Sequence, residues 1–134
     1  MLKKSRSAGI LLPIFSLPSK HGIGTLGKEC FNFIDFLSAA GLKVWQLLPL
    51  NVTSYGDSPY QSPSSVGLNY YFIDLDILLN KGLLTEDDIS QYEFSNDPHR
   101  VDYGLLFNNR LKLLKKAFKR FDVSNSKFIC NGSK

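Results

Sequence analysis

The sequence predicts an α/β protein in which parallel strands alternate with helices. Two apolar runs, residues 9–16 and 43–50, lack polar alternation, as strands buried on both faces do. A helical pattern lies between them, and a strand–helix–strand unit of this length is right-handed by strong precedent. A long loop follows the second run, and such loops carry the active site in (β/α)8 barrels. The predicted fold is therefore the N-terminal part of a (β/α)8 TIM barrel, incomplete in this chain.

The first helix is predicted after a turn-rich connection over residues 17–24. Thr25 is its predicted N-terminal cap, with the helix starting near Leu26 or Gly27. Gly41 is the predicted stop at its C-terminal end. Apolar residues recurring every three positions predict its buried face: Phe31, Ile34, Leu37 and Ala40.

Several shorter elements are predicted after the central loop. Residues 70–75 are apolar and predicted to be extended, and residues 78–82 close a short turn or helix. Thr85 is followed by three acids, a capping pattern that predicts another helix start. Residues 94–101 are polar and are predicted to form a loop.

A long basic helix is predicted over about residues 104–121. Its apolar residues step by four and three, which predicts one buried stripe. That stripe is Phe107, Leu111, Leu114, Phe118 and Phe121. The cations predict a solvated face: Arg110, Lys112, Lys115, Lys116, Lys119 and Arg120. The net charge of +4 has no nucleic-acid-binding motif beside it, so no nucleic-acid partner is expected.

Composition and cysteine usage define the broad class of protein. The chain is 43% hydrophobic and 21% charged, which is typical of a globular domain. No apolar stretch approaches the ~20 residues of a membrane span, so no membrane partner is expected. Cys30 and Cys130 lack ligand spacing, which favours reduced thiols and a cytoplasmic location, with Cys30 in the core. His21 and His99 stand alone near turns, so surface or turn roles are expected in preference to a metal site.

The glycines Gly22, Gly24 and Gly27 match the G-x-G-x-x-G pattern of dinucleotide-binding loops. Two observations disfavour that function. Five residues separate the glycines from the preceding strand, and the second strand ends in Pro49-Leu50-Asn51 without the required acid. The glycines are therefore predicted to make a tight turn and permit close packing, and no cofactor is expected.

The loop between the second strand and residue 70 is rich in Ser, Gly, Pro and Asn and also in tyrosine. Disordered linkers are poor in aromatic residues, so an ordered binding loop is predicted. A tyrosine offers an apolar ring face and a hydroxyl, which suits a sugar. The alternative is that the tyrosines only pack back onto the domain. The tyrosines in question are Tyr55, Tyr60, Tyr70 and Tyr71.

The stretch LLPLNVTSYGDSPYQSPSSVGLNYYFIDLD, residues 47–76, resembles the amylomaltases, which are 4-alpha-glucanotransferases (disproportionating enzymes). GILLPIFSLPSKHGIGTLG, KVWQLLPL and RVDYGLLFNNRLKLLKKAF resemble further parts of the family, so the resemblance covers roughly residues 7–121. The chain departs from the family at Asn51-Val52, where Gly-Pro is usual, and at residues 68–71, where Gly-Asn-Pro-Tyr is usual. These departures are expected to change the backbone of the loop.

The resemblance implies a retaining transfer of a 1,4-alpha-glucan segment to a new 4-position on glucose or maltodextrin. One carboxylate attacks the anomeric carbon and a second acts as acid and then as base. None of the 12 acidic residues resembles either group, so no catalytic residue is expected in this chain.

The resemblance also implies a glucan-binding surface for a maltooligosaccharide or starch-type glucan. Tyr60 resembles the aromatic residue that packs against the sugar next to the scissile bond, and Ser58 beside it is expected to hydrogen-bond the glucan. Tyr55 and Tyr103 resemble a second glucan-contacting surface. Asp57 is expected to orient the loop through backbone amides.

The length suggests an incomplete barrel, since a full one needs ~250 residues. Residues 1–134 are expected to be the N-terminal segment of a catalytic barrel, with residues 122–134 as a tail. The segment is expected to require the remainder of the barrel and to be poorly stable and inactive alone. Two alternatives remain open: an inactive glucan-binding remnant of a truncated gene, and a nucleotide-binding domain.

Overall fold

A computed structural model describes residues 6–54, 56, 58–97 and 100–121. The predicted tail with Cys130, and also His99, Tyr55 and Asp57, lie outside this range. The strands are β1 (Gly9–Leu11) and β2 (Val44–Gln46). The helices are α1 (Lys28–Ala39), α2 (Leu75–Asn80), α3 (Glu86–Ser90) and α4 (Tyr103–Arg120), with two 3₁₀ helices at Ile14–Ser16 and Tyr70–Phe72.

β1 and β2 pair in parallel, with Ile10 opposite Trp45, and α1 connects them. The predicted strand–helix–strand unit is thus confirmed. Both strands are shorter than predicted, and β1 stops before Pro13, which has no N–H to donate to a sheet. The side chains of Leu11 and Val44 are exposed, so the predicted burial of both strand faces is wrong for the described residues.

α1 begins slightly later than predicted, at Lys28, and its N-cap is Gly27. Thr25 is not the cap, since its hydroxyl instead donates a hydrogen bond to Oδ2 of Asp74. At the other end Gly41 adopts a φ of 72°, the left-handed conformation expected just after a helix.

The buried face of α1 also differs from the prediction. Cys30 and Leu37 are buried, whereas Phe31 is 62% exposed and Ile34 and Ala40 are exposed as well. Cys30 is a free thiol in the core, as predicted. Its pKa is raised by desolvation, which keeps the thiol protonated.

Residues 70–75 are extended only at Ile73 and Asp74, so the predicted extended segment is wrong for the rest of the range. Asn69 Oδ1 accepts a hydrogen bond from the Tyr71 N–H at 3.0 Å, and Asp74 Oδ1 accepts one from the Ile77 N–H at 2.9 Å. These caps start a 3₁₀ helix and then α2, because Asn and Asp side chains favour turns and helix starts over strands.

α3 begins at a capping box, as predicted. The Thr85 hydroxyl and the Asp88 carboxylate each accept a hydrogen bond from the other residue's backbone N–H. The buried Asp88 carboxylate also forms ion pairs with Lys116 and Arg120 of α4. The cap of one helix therefore fixes it against another.

The buried face of α4 is not the predicted stripe. Leu106, Arg110, Leu113 and Ala117 are buried, while Phe107 is 67% exposed and Phe118 is also exposed. Moving the assumed buried positions by one residue turns the buried face by about 100° around the helix. Apolar residues lie on the predicted and on the observed face, so both sets fit a helical period. Arg110, predicted to be solvated, is instead fully buried.

Replacing Asp88 by Asn is expected to flatten the acid dependence of stability. Hydrogen bonds from Arg120 and Lys116 hold the pKa of Asp88 well below its usual range. Because the folded-state pKa is lowered, the carboxylate stabilises the fold above the ordinary Asp pKa of about 4, and this contribution is lost as the pH falls further. Urea unfolding at several pH values between neutral and acid measures the effect.

The matched control is Asp87→Asn, which removes an exposed carboxylate from the same helical turn. The wild type and the Asp87 variant should lose stability on acidification more steeply than the Asp88 variant. Equal slopes in all three proteins would contradict the role given to Asp88.

Candidate functional site

The loop after β2 is closed at its base by backbone hydrogen bonds. Asn51 and Leu68 form an antiparallel bridge, and the Val52 N–H donates to the carbonyl of Gly67 at 3.1 Å. Further out, the Ser54 N–H donates to the carbonyl of Gln61 at 3.0 Å. The described part of the loop is therefore ordered, as predicted.

Ser58 and Tyr60 lie at the tip of this loop. The Ser58 hydroxyl accepts a hydrogen bond from the Tyr60 N–H at 3.4 Å, and its carbonyl accepts one from the Gln61 N–H at 3.1 Å. The Tyr60 side chain is 73% exposed. It does not pack back onto the domain and is accessible to a ligand.

A cavity of about 800 Å³ lies between the loop, the first turn of α4 and the 3₁₀ helix before α2. Tyr70, Tyr71 and Tyr103 form its aromatic wall, and the Tyr71 side chain is also buried in the core. The rings of Tyr70 and Tyr71 are 4.7 Å apart, and those of Tyr71 and Tyr103 are 6.4 Å apart. Asn69, Thr53 and Asn108 add polar groups to the lining.

Local capping positions this aromatic wall. The Asn69 side chain holds the N–H of Tyr71, and the Asp102 carboxylate accepts a hydrogen bond from the Leu105 N–H at 2.9 Å. Asp102 thereby starts α4 at Tyr103. Aromatic faces next to amide and hydroxyl groups form a surface that suits a ring with an apolar face and polar edges.

The structure brings together only part of the predicted site. Tyr103 lines the cavity, whereas Ser58 and Tyr60 are not among its lining residues. Tyr55 and Asp57 lie outside the described residues. The site thus has two described parts: the loop tip and the cavity.

Sequence reasoning missed Asn69, Phe107 and Asn108 as cavity residues. Phe107 carried a signal, an aromatic residue one turn beyond Tyr103, but it was assigned to the buried stripe of α4. Asn69 is also a helix cap, and nothing in its local sequence indicates a cavity.

The acidic residues with described contacts serve the fold. Asp76 pairs with Nε2 of His21 and with Nζ of Lys20, each at 3.0 Å. Burial opposes the charged form of Asp76, but hydrogen bonds from His21 and Lys20 outweigh it and lower its pKa. Such a group stays ionised near neutral pH and is not suited to donate a proton. The absence of a catalytic residue stays a prediction.

His21 has the turn position that was one of its two predicted roles, and its side chain is buried, not on the surface. In the described ranges no three His, Cys, Asp or Glu side chains come together as a metal site. Nor does any helix in those ranges have the length and hydropathy needed to cross a membrane.

A parallel strand–helix–strand unit with a cavity beside the loop after its second strand is the arrangement expected for part of a (β/α)8 barrel, in which ligands bind at the loops that follow the strands. The family model described as 4-alpha-glucanotransferase, glycoside hydrolase family 77, matches residues 12–129. The chain belongs to this family, which confirms the resemblance seen in the sequence.

Individual relatives agree with the family match. A 4-alpha-glucanotransferase from Clostridium butyricum is 52% identical over 120 residues, covering 87% of this chain and 25% of the relative. One from Aquifex aeolicus is 45% identical over 118 residues, covering 87% and 24%. An amylomaltase from Streptococcus agalactiae, solved in complex with acarbose, matches with a TM-score of 0.83 at 48% identity, covering 87% and 24%. The chain thus spans about a quarter of the length of these relatives.

Proposed function

We propose that residues 1–134 form the N-terminal segment of a 4-alpha-glucanotransferase catalytic barrel. The enzyme transfers a segment of a 1,4-alpha-D-glucan to a new 4-position on glucose or a maltodextrin. The observation that carries this proposal is the family match over residues 12–129, together with the fold match to an amylomaltase solved with acarbose.

The transfer runs with retention through two carboxylates, one a nucleophile and one an acid that becomes a base. Neither group is assigned to this segment, in which Asp74, Asp88 and Asp102 cap helices and Asp76 forms ion pairs. The role of the segment is to bind and orient the glucan. The substrate is a maltooligosaccharide or a starch-type glucan.

The loop tip and the cavity supply that binding. Exposed Tyr60 provides a ring face for stacking on a sugar, with Ser58 as its hydrogen-bonding neighbour. Tyr103 contributes to the cavity as a second contact surface. Asp57 and Tyr55 belong to the same loop and complete the proposed set of binding residues.

The segment requires the remainder of the barrel. In the described part of the chain β1 and β2 each have one unpaired edge, since the sheet contains only these two strands. Large apolar side chains of the βαβ unit are exposed: Leu11, Phe31, Ile34, Phe36 and Val44. A barrel covers such edges and faces with its later strands and helices.

A chimera tests the proposed activity. Residues 12–121 of this chain replace the matching segment of the Clostridium butyricum relative, and glucose release from maltotriose is measured. The chimera is expected to be active, whereas the 134-residue chain alone is expected to release no glucose. A folded but inactive chimera, beside an active relative, would favour the alternative of a glucan-binding remnant.

We infer a cytoplasmic location from the thiol chemistry. Cys30 is a free, buried thiol, and the sequence pairs it with no disulfide framework. Fractionation of cells that express the tagged chain tests this, and recovery outside the cytoplasm would contradict it.

A further inference from the structure

Arg110 occupies a core position of α4 that an apolar residue would ordinarily fill. Its side chain is fully buried, and in the part of the chain described its Nε has no hydrogen-bond partner. Among the described residues, no carboxylate lies within ion-pair distance of Arg110. Desolvation lowers its pKa to about 10. A buried charge without a paired carboxylate is costly, and the Phe94 ring 6.0 Å away and the more distant Asp74 carboxylate offset that cost only in part.

The two ends of the Arg110 guanidinium bind two separate segments. Nη1 donates to the carbonyl of His21 at 3.2 Å, and Nη2 donates to the carbonyl of Ile73 at 2.6 Å. His21 lies in the turn after β1, and Ile73 directly follows the 3₁₀ helix Tyr70–Phe72. A planar guanidinium can bridge two carbonyls at a fixed distance, which a lysine ammonium cannot do equally well.

The segment held by Ile73 carries one side of the cavity. Tyr70 and Tyr71 belong to the 3₁₀ helix that ends at Ile73, and both line the cavity. The other side is Tyr103, seven residues before Arg110 on α4. Seven residues are two helical turns, so Tyr103 and Arg110 project from the same face of α4.

We propose that Arg110 is a positioning residue for the glucan cavity, fixing the Tyr70–Tyr71 segment against the face of α4 that carries Tyr103. The hydrogen bond to the Ile73 carbonyl sets the spacing between the two aromatic sides, and the one to the His21 carbonyl holds the guanidinium in place. The proposal rests on the proposed glucan-binding function of this cavity. Arg110 itself does not contact the ligand, since it is not among the lining residues.

The test uses the 134-residue chain with Arg110→Met and Arg110→Lys, and maltotetraose as the ligand. The Met variant keeps the packing volume and removes both hydrogen bonds, while the Lys variant keeps the charge. We expect the Met variant to weaken maltotetraose binding about tenfold or more, and the Lys variant to show a smaller loss. Amide exchange at Phe72 and Ile73 should rise about tenfold as well, because their segment loses its anchor.

The matched control is Arg120→Met, at the other end of α4. Arg120 also donates to a backbone carbonyl, that of Leu83, and pairs with Asp88. Its replacement should lower the melting temperature without changing the Kd for maltotetraose. This control separates general destabilisation from loss of the aromatic wall.

The positioning role of Arg110 and the glucan-binding function of the cavity are tested by different outcomes. Wild-type affinity and wild-type exchange at Phe72 and Ile73 in the Lys variant would overturn the positioning role, even if the Met variant fails to fold. If the wild type binds no maltotetraose, the glucan function of the cavity fails. The exchange rates and the Tyr71–Tyr103 ring contact, measured by NMR, then still decide whether Arg110 positions the wall.

Discussion

Replacing Gly22 by alanine is expected to destabilise the chain by more than about 3 kcal/mol, a large part of the stability of a small domain. Gly22 has a φ of 80°, a conformation that costs an L-residue roughly 1–2 kcal/mol. A Cβ at this position would also lie 2.2 Å from the carbonyl oxygen of Phe94. Because the obstacle is backbone, it cannot rotate away, and the turn after β1 must separate from the chain around Phe94. Urea unfolding measures the loss.

Gly82→Ala is the matched control for this substitution. Gly82 has a similar φ of 69°, but a Cβ there would meet nothing within 4 Å. It should therefore cost only the conformational term, roughly 1–2 kcal/mol. Equal losses for the Gly22 and Gly82 variants would contradict the close backbone approach at Gly22.

The same geometry explains a motif that the sequence left ambiguous. Gly24 lies where a Cβ would be 2.0 Å from the carbonyl oxygen of Ile14, and a Cβ on Gly27 would be 1.9 Å from Oδ2 of Asp74. At all three glycines of the G-x-G-x-x-G pattern, neighbouring protein atoms thus occupy the space that a side chain would need. This supports the packing interpretation of the sequence, in which the glycines do not hold a phosphate.

Local sequence signals predicted where helices form better than they predicted which helix face is buried. The capping box at Thr85 and the periodicity of α4 were sufficient for two helices, because a capping box acts within one turn and a helical period lies within one continuous segment. The buried faces of α1 and α4 were wrong because apolar residues on two sides of each helix satisfy the same period. Which side is buried depends on tertiary packing, and the sequence alone does not specify it.

Some residues of the candidate site were also predictable from local sequence, whereas others were not. Tyr60 and Tyr103 were predicted because they lie in segments that resemble the family. The cavity itself brings together residues that are distant in sequence, such as Asn69 and Asn108. Arg110 was predicted to be solvated because it lies among the cations of a basic helix. Its carbonyl partners lie 89 and 37 residues away in the sequence.

Replacing Tyr60 by alanine in the active chimera is expected to lower kcat/KM for maltotriose. Loss of an aromatic platform against the sugar costs about 1–3 kcal/mol of transition-state binding, which is roughly a 5- to 150-fold decrease. The side chain is 73% exposed, so its removal should leave the melting temperature nearly unchanged. Initial rates of glucose release, with thermal melts of the same preparations, give both quantities.

Two further variants identify the cause of that loss. Tyr60→Phe keeps the ring and removes the hydroxyl, so it should retain most of the activity if stacking dominates. Val66→Ala removes another apolar side chain of the same loop, one that is 87% exposed, and should change nothing. If the Tyr60→Ala chimera keeps the parent kcat/KM, Tyr60 does not contact the reacting glucan. A loss in the Val66 variant as large as in the Tyr60 variant would instead point to a general effect on the loop, because valine has no ring to offer the sugar.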